Sequence, residues 1–164
     1  MDEEVWEYIW NFPDYMVSTY GRVARLNGYV MRTSLTKYGD VKLSLWQEGV
    51  RRTVSVKVLV ADTFVPEKSQ IFDAVICKDN DRTNLRVENL LWRPRWFAWK
   101  YRHQFGEVYP PHYYTLPVMN TELGIEYKSI VEAATAEGCL FIEVFRSCYS
   151  GDSIFPYWHT YVIL

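Results

Sequence analysis

At 164 residues and 49% apolar letters, the chain can build one substantial core or a few small modules, which excludes a wholly disordered protein. A net charge of -2 does not suit a uniformly basic nucleic-acid binder, and no apolar run approaches the roughly 20 residues that cross a bilayer. The start, MDEEVWEYIW, lacks the basic-then-apolar order of a secretory leader. Three cysteines without a CxxC pair point away from a disulfide framework or a zinc site, so a reducing cytoplasm is the expected setting.

The charge is unevenly placed. Residues 1–20 carry five acids and no bases, residues 21–57 eight bases and two acids, and residues 106–164 two bases and seven acids. Contact with phosphates should therefore come from the middle of the chain.

Residues 1–65 read as a small β-rich module. Short β-favouring runs alternate with turn signals at Tyr20-Gly21, Asn27-Gly28, Tyr38-Gly39-Asp40 and Glu48-Gly49, of which Asn-Gly is the strongest hairpin signal. Val41 to Trp46 alternates as a half-buried strand. At Val56 the period changes, and Val56, Leu59, Val60 and Phe64 fit one side of a short helix that Pro66 would stop.

In residues 66–105 a strand from Ala74 to Cys77 is followed by a polar reversal, Lys78 to Asn84, and a return segment closing on Leu90 and Trp92. Next comes RPRWFAWKYRHQF, in which bases alternate with aromatics. Its spacing predicts a helix with Trp92, Trp96 and Trp99 on one face. That face is either an aromatic and basic contact for DNA or the packed side of a helix whose bases point outward. Residues 106–117, with three prolines and no period, read as a linker, and the loop residue His112 is given no role.

Residues 118–164 open with a hairpin turned at Glu122-Leu123-Gly124. Ser129 and Glu132 form a capping box for a helix ending near Gly138. A second helix runs to about Tyr149, and a last strand covers Trp158 to Ile163. Cys139 and Cys148 read as small buried residues.

The letters D-N-D-R-T-N-x-R-V-E-N-L-x-W, from Asp79 to Trp92, resemble the core of phage-type HNH homing endonucleases. Two flanking blocks extend the resemblance over nearly the whole chain. W-x-x-I…Y-x-V-S-x-x-G-R-V-x-x-L with V-K-V-L-V-A-D-T-F-V-P resembles the DNA-binding module that precedes that core. N-T-E-L-G…Y-K-S-I-V-E-A-A…G…W-x-x-Y-V resembles its C-terminal helix-turn-helix module. The resemblance implies an α+β chain with a small β-rich N-terminal module (1–65), a ββα-metal, HNH-like core (66–105), the linker (106–117) and a C-terminal β-hairpin plus helix-turn-helix module (118–164).

It also implies where catalytic groups should be, and most are missing. The catalytic His falls on Cys77, the metal ligand before it on Ile76, and a second ligand, an Asn on the helix after the Trp, on Ala98. Only Asn89, which orients the His in the family, matches. A hard divalent cation needs oxygen ligands, and its water needs a base within reach. Ile76 and Ala98 offer no ligand atom, so no metal or other cofactor is expected.

By the same resemblance the candidate DNA contacts are Arg22, Arg25, Arg32, Lys37, Lys42, Arg51, Arg52 and Lys57 (a His in most of the family), with Arg93, Arg95, Lys100 and Arg102 in the core. The bland alternative for each is the solvated face of a sheet or helix. The second helix of the last module offers Phe141, Ile142, Glu143, Val144 and Phe145 with only Arg146 basic, which suits a protein partner, a dimer interface or a buried helix better than a major groove. The expectation is a non-cleaving binder of double-stranded DNA, a repressor or site blocker. The alternative is a protein-interaction module acting through its C-terminal part. A third reading is weak nicking with Asp79 or Asp81 as recruited metal ligands.

Overall fold

At Asn27 the chain reverses within a single turn: Gly28 N–H bonds to Arg25 O, and Tyr29 N–H to the Asn27 carboxamide oxygen. Turns of this kind join the short strands of a mixed α+β fold. The computed structural model describes residues 3–106 and 112–164. It divides into two compact units, Met1–Arg95 and Trp96–Leu164.

In the first unit, β1 (Trp6–Ile9), β2 (Phe12–Ser18) and β3 (Val23–Arg25) form one antiparallel sheet in that order. β4 (Ser34–Leu35), β5 (Val41–Gln47) and β6 (Val50–Ser55) form a second. The period change at Val56 is the start of α1 (Val56–Phe64), which buries Val56, Leu59, Val60 and Ala61. It ends where expected, because Pro66 disfavours helical geometry at Val65. β7 (Ala74–Cys77) and β8 (Leu90–Arg93) pair as an antiparallel hairpin.

One hydrophobic cluster runs through these elements, β4 excepted, from Val17 and Val23 through Leu45, Val56 and Val60 to Val75, Leu90 and Trp92. Residues 1–65 and the β7–β8 hairpin therefore share one interior. Gly21 shows how closely the two are fitted. Its φ is +80°, and an added Cβ would lie 2.4 Å from Leu85 Cβ.

α2 (Arg95–His103) begins on the last residue of the first unit, and its part in the second unit buries Phe97 and Tyr101. An aromatic series continues from there: Phe97 to Tyr101 at 6.3 Å, Tyr101 to Phe105 at 5.4 Å, and Phe105 to Phe141 at 5.2 Å between ring centres. β9 (Val118–Asn120) lies between β10 (Ile125–Tyr127) and β11 (Tyr161–Ile163). α3 (Ile130–Glu137) is capped by Ser129, whose hydroxyl accepts Glu132 N–H, and it ends at the left-handed Gly138. α4 (Phe141–Ser150) follows.

Two expectations change here. Of the segment expected as linker, residues 107–111 lie outside the described residues. His112–Thr115, however, forms a helical turn whose Tyr114 is buried in the core of the second unit. The expected Trp face does not exist either. Trp92 belongs to β8 and is buried, whereas Trp96 and Trp99 on α2 are 55% and 59% exposed. Pro94 separates strand from helix, so a spacing counted through it from Trp92 has no helical meaning. Among the described residues no helix is long and apolar enough to cross a membrane.

Candidate nucleic-acid interface

The reversal after β7 is held by its own side chains. Asn89 is buried and makes three bonds: it accepts Asp79 N–H at 3.1 Å and donates to Asp79 Oδ1 at 2.9 Å and Asn84 O at 2.8 Å. Asp79 also accepts Asp81 N–H and the Asn84 amide. Asp81 accepts both the N–H and the hydroxyl of Thr83, which together hold its carboxyl below the usual range. The two acids of the third reading are thus committed to turn formation.

The positions matching the family's catalytic groups are closed. Ile76 and Cys77 pair with Leu91 and Leu90 and are 5% and 7% exposed. Burial pushes the Cys77 thiol up to about 11, despite an opposing pull from Lys57, so it stays protonated at neutral pH. The side chain of Ala98, on α2, has no ligand atom. Among the described residues no three His, Cys, Asp or Glu side chains are grouped to hold a metal ion. These residues do not fit the family's hydrolytic cation.

The candidate phosphate contacts fall into three sets. The first is committed within the protein. Arg22 is paired with Glu4 and lies over Trp6, Lys57 pairs with Asp40 at 3.3 Å, and Arg95 pairs with Asp73 at 2.6 Å. Arg82 Nη1, not a candidate, also reaches Asp40, at 3.4 Å, and donates to Tyr38 O. Arg93 belongs here too. It is wholly buried and donates to Trp92 O at 2.8 Å, and a guanidinium without exposure cannot reach a phosphate.

The second set lies on or beside the β4–β6 sheet. The register places Ser44 opposite Thr53 and Trp46 opposite Arg51, with Lys42 on the same face. Arg52, opposite Leu45, lies on the other face. Arg25, Arg32 and Arg51 line a single depression of about 530 Å³ with Tyr29, Ser44 and Thr53. Arg25 lies 5.8 Å from the Tyr29 ring centre. Among the described residues none of these three arginines has a carboxylate within ion-pair distance. Lys37 is exposed beside the Tyr38 ring at 4.8 Å.

The third set is on α2, where Lys100 lies over Trp96 at 5.4 Å and Arg102 is exposed. The exposed Trp99 stacks on His103 at 4.0 Å. α4 buries Phe141, Val144 and Ser147 and turns Ile142, Arg146 and Tyr149 outward. The apolar letters on its inner side are thus core. Cys139 is buried and Cys148 half-buried.

One cluster had no signal in the sequence. Glu137, at the end of α3, accepts from Asn120 at 2.8 Å and Tyr127 at 2.9 Å and meets the His159 ring at 2.9 Å. Burial pushes its carboxyl up, but these hydrogen bonds more than offset that and hold it below the ordinary range. The grouping of Arg25, Arg32 and Arg51 was equally silent, because Arg25 and Arg51 come from two different sheets and Arg32 from the segment between them.

No protein-family model matches the chain, and neither does any curated protein. Among solved structures, the fold is similar to that described under "DNA binding and cleavage by the HNH homing endonuclease I-HmuI". The TM-score is 0.58 at 22% identity, over 98% of each chain. The likeness is one of fold.

Proposed function

We propose that this chain grips double-stranded DNA on an HNH homing-endonuclease fold without hydrolysing it, and acts as a repressor or blocker of its site. The observation that carries this reading is the convergence of Arg25, Arg32 and Arg51, free of carboxylate partners among the described residues, on one depression beside the β4–β6 sheet. A strand pair is narrow enough for the major groove, and three guanidiniums are suited to phosphates or to guanine edges. Trp46, 53% exposed and directly opposite Arg51, adds an apolar surface that could rest on sugar or a thymine methyl. Lys42 extends the same face.

The fold likeness supports the reading, since the comparison structure is one of DNA binding and cleavage. The absence of cleavage rests on chemistry. The side chains of Ile76 and Ala98 have no oxygen to give a cation, and the Cys77 thiol is buried and protonated where a base would be needed. Asp79 and Asp81, the nearby substitutes, already accept hydrogen bonds that hold the loop.

The functional modules we assign are residues 1–65 as the principal DNA contact, 66–105 as the degenerate nuclease core and 118–164 as the helix-turn-helix-like part. Gel shifts on random-sequence duplex at graded salt, beside supercoiled plasmid incubated with magnesium or manganese, test the proposal. A salt-sensitive shift with intact plasmid is expected. Nicked plasmid at a rate above background, lost on adding chelator, would overturn the non-cleaving part. The absence of any shift at low salt would overturn the binding.

A further inference from the structure

The outer side of α2 carries aromatic rings and cations and no acid. Trp96, Trp99 and His103 recur at steps of three and four residues, so they form one outward stripe, about 10 Å long at ~1.5 Å per residue. Trp99 stacks on His103 at an interplanar angle of 27°, and the His103 ring is fixed by donating from Nδ1 to Trp99 O at 2.7 Å. Trp96 leans on Phe155, 5.6 Å away between ring centres, with Lys100 over its own ring. These rings are ordered by specific contacts while more than half exposed.

Trp99, Lys100 and His103 also form one side of a depression of about 450 Å³, and Ile142, Glu143 and Arg146 of α4 line it too. Gln104 ties the two helices together, donating to Cys139 O at 3.3 Å and accepting Phe141 N–H at 2.9 Å. The one acid of the lining, Glu143, is paired with Arg146 at 3.2 Å, which leaves Lys100 as the uncompensated charge. Among the described residues neither Lys100 nor Arg102 has a carboxylate within ion-pair distance.

Unmatched cations between open rings select the occupant. Lysine is depleted at the centre of protein interfaces, whereas cations among stacking rings suit a chain of phosphates and bases. A double helix covers the faces of its bases and shows only their edges in the grooves, so a ring that offers its face is matched by an unpaired base. The stripe has room for two or three bases at the stacked spacing of about 3.4 Å.

We propose that this stripe and the depression beside it bind unpaired bases of single-stranded DNA. The bases stack on the Trp96 and Trp99 rings, and Lys100 and Arg102 meet the phosphates. None of the three arginines assigned to the duplex takes part.

The test is fluorescence anisotropy of a labelled oligothymidine of eight nucleotides with the full chain. Its control is an abasic strand of the same length, which keeps sugars and phosphates. The oligothymidine is expected to bind at least tenfold more tightly. Trp99→Ala is expected to weaken it at least fivefold with unchanged circular dichroism, and Trp99→Phe, which keeps a ring, to recover most of that loss. Trp10→Ala, at an exposed indole of the first unit, should leave it unchanged. Changing Arg25, Arg32 and Arg51 together to Gln should weaken the duplex gel shift and leave the preference for the oligothymidine over the abasic strand at its parent value, so that either reading can fail by itself.

Equal binding of the two strands would reduce the contact to phosphates and overturn the stacking. An unchanged affinity in Trp99→Ala, or an equal loss in Trp10→Ala, would overturn the site. A base preference that disappears with the three arginines would move it to the first unit, and tighter binding of an oligouridine RNA would assign it to another nucleic acid. A dimer of the chain that Trp99→Ala dissolves would show the rings covered by a second copy. Each of these likewise overturns the proposal.

Discussion

Replacing Asn89 by Ala removes three hydrogen bonds at a buried position, one accepted from Asp79 N–H and two donated to Asp79 Oδ1 and Asn84 O. Each bond is worth about 0.5–1.5 kcal/mol net, and water can reach the exposed Asp79 in part, so a loss of about 2–3 kcal/mol is expected. Asn89→Asp is the sharper variant. It keeps the acceptor for Asp79 N–H but sets a second carboxylate where the carboxamide nitrogen lies 2.9 Å from Asp79 Oδ1. At that separation two charges repel by several kcal/mol even at an effective dielectric constant of about 20, so the pair would share a proton. The Asp variant is therefore expected to be worse than Ala at pH 7 and to recover relative to the parent as pH falls. Urea unfolding followed by circular dichroism, with the buried Trp92 as a fluorescence reporter in the same unit, measures both. If both variants fall within about 0.5 kcal/mol of the parent, the loop is not held as described.

Changing Arg25, Arg32 and Arg51 together to Gln should lower the slope of log K against log salt by about 3, near 0.9 for each phosphate no longer neutralised, while leaving the fold intact. An unchanged slope would move the interface elsewhere. Gly21→Ala forces a Cβ into Leu85 at a left-handed φ, so a loss of about 2–4 kcal/mol is expected in thermal or urea unfolding. On α2, Phe97→Ala should cost about 3–5 kcal/mol and Trp96→Ala about 1 kcal/mol or less, reversing the order a Trp-faced helix would give. Glu137 has a depressed carboxyl, so its contribution is present above its ordinary value of 4.5 and is lost as pH falls through the lower folded value. Glu137→Gln should thus lower the melting temperature at neutral pH and flatten its decline in acid.

What the sequence made legible was whatever depends on neighbours along the chain. The change of period at Val56, the stop at Pro66, the alternation of Val41 to Trp46 and the Ser129–Glu132 cap are all local signals, and each marks an element that forms. The Trp face failed because one residue, Pro94, decides whether Trp92 is counted with a strand or a helix. Arg93 failed because composition places arginine outside, whereas its guanidinium finds a carbonyl inside. Nothing local could join Arg25 to Arg51, or Asn120 to His159, since the first pair stands on two different sheets of the first unit and the second depends on the pairing of β9 with β11.

Asn89 holds the loop that joins the β7–β8 hairpin to the rest of its unit. In the nucleases that the sequence resembles, this Asn positions an imidazole, yet here the matching position is the buried Cys77, and all three of the Asn89 side-chain bonds go to the loop. Those bonds shape the reversal that brings Leu85 against Gly21 and lets Val87 N–H reach Thr19 O at 2.9 Å. The loop thereby ties the β7–β8 hairpin to the sheet whose last strand ends at Arg25, the first of the three converging arginines. A residue suited to orienting a base is thus equally suited to fixing a turn, because a carboxamide carries both an acceptor oxygen and two donor N–H groups. Its presence marks how this unit folds, and carries no implication that a phosphodiester is cut.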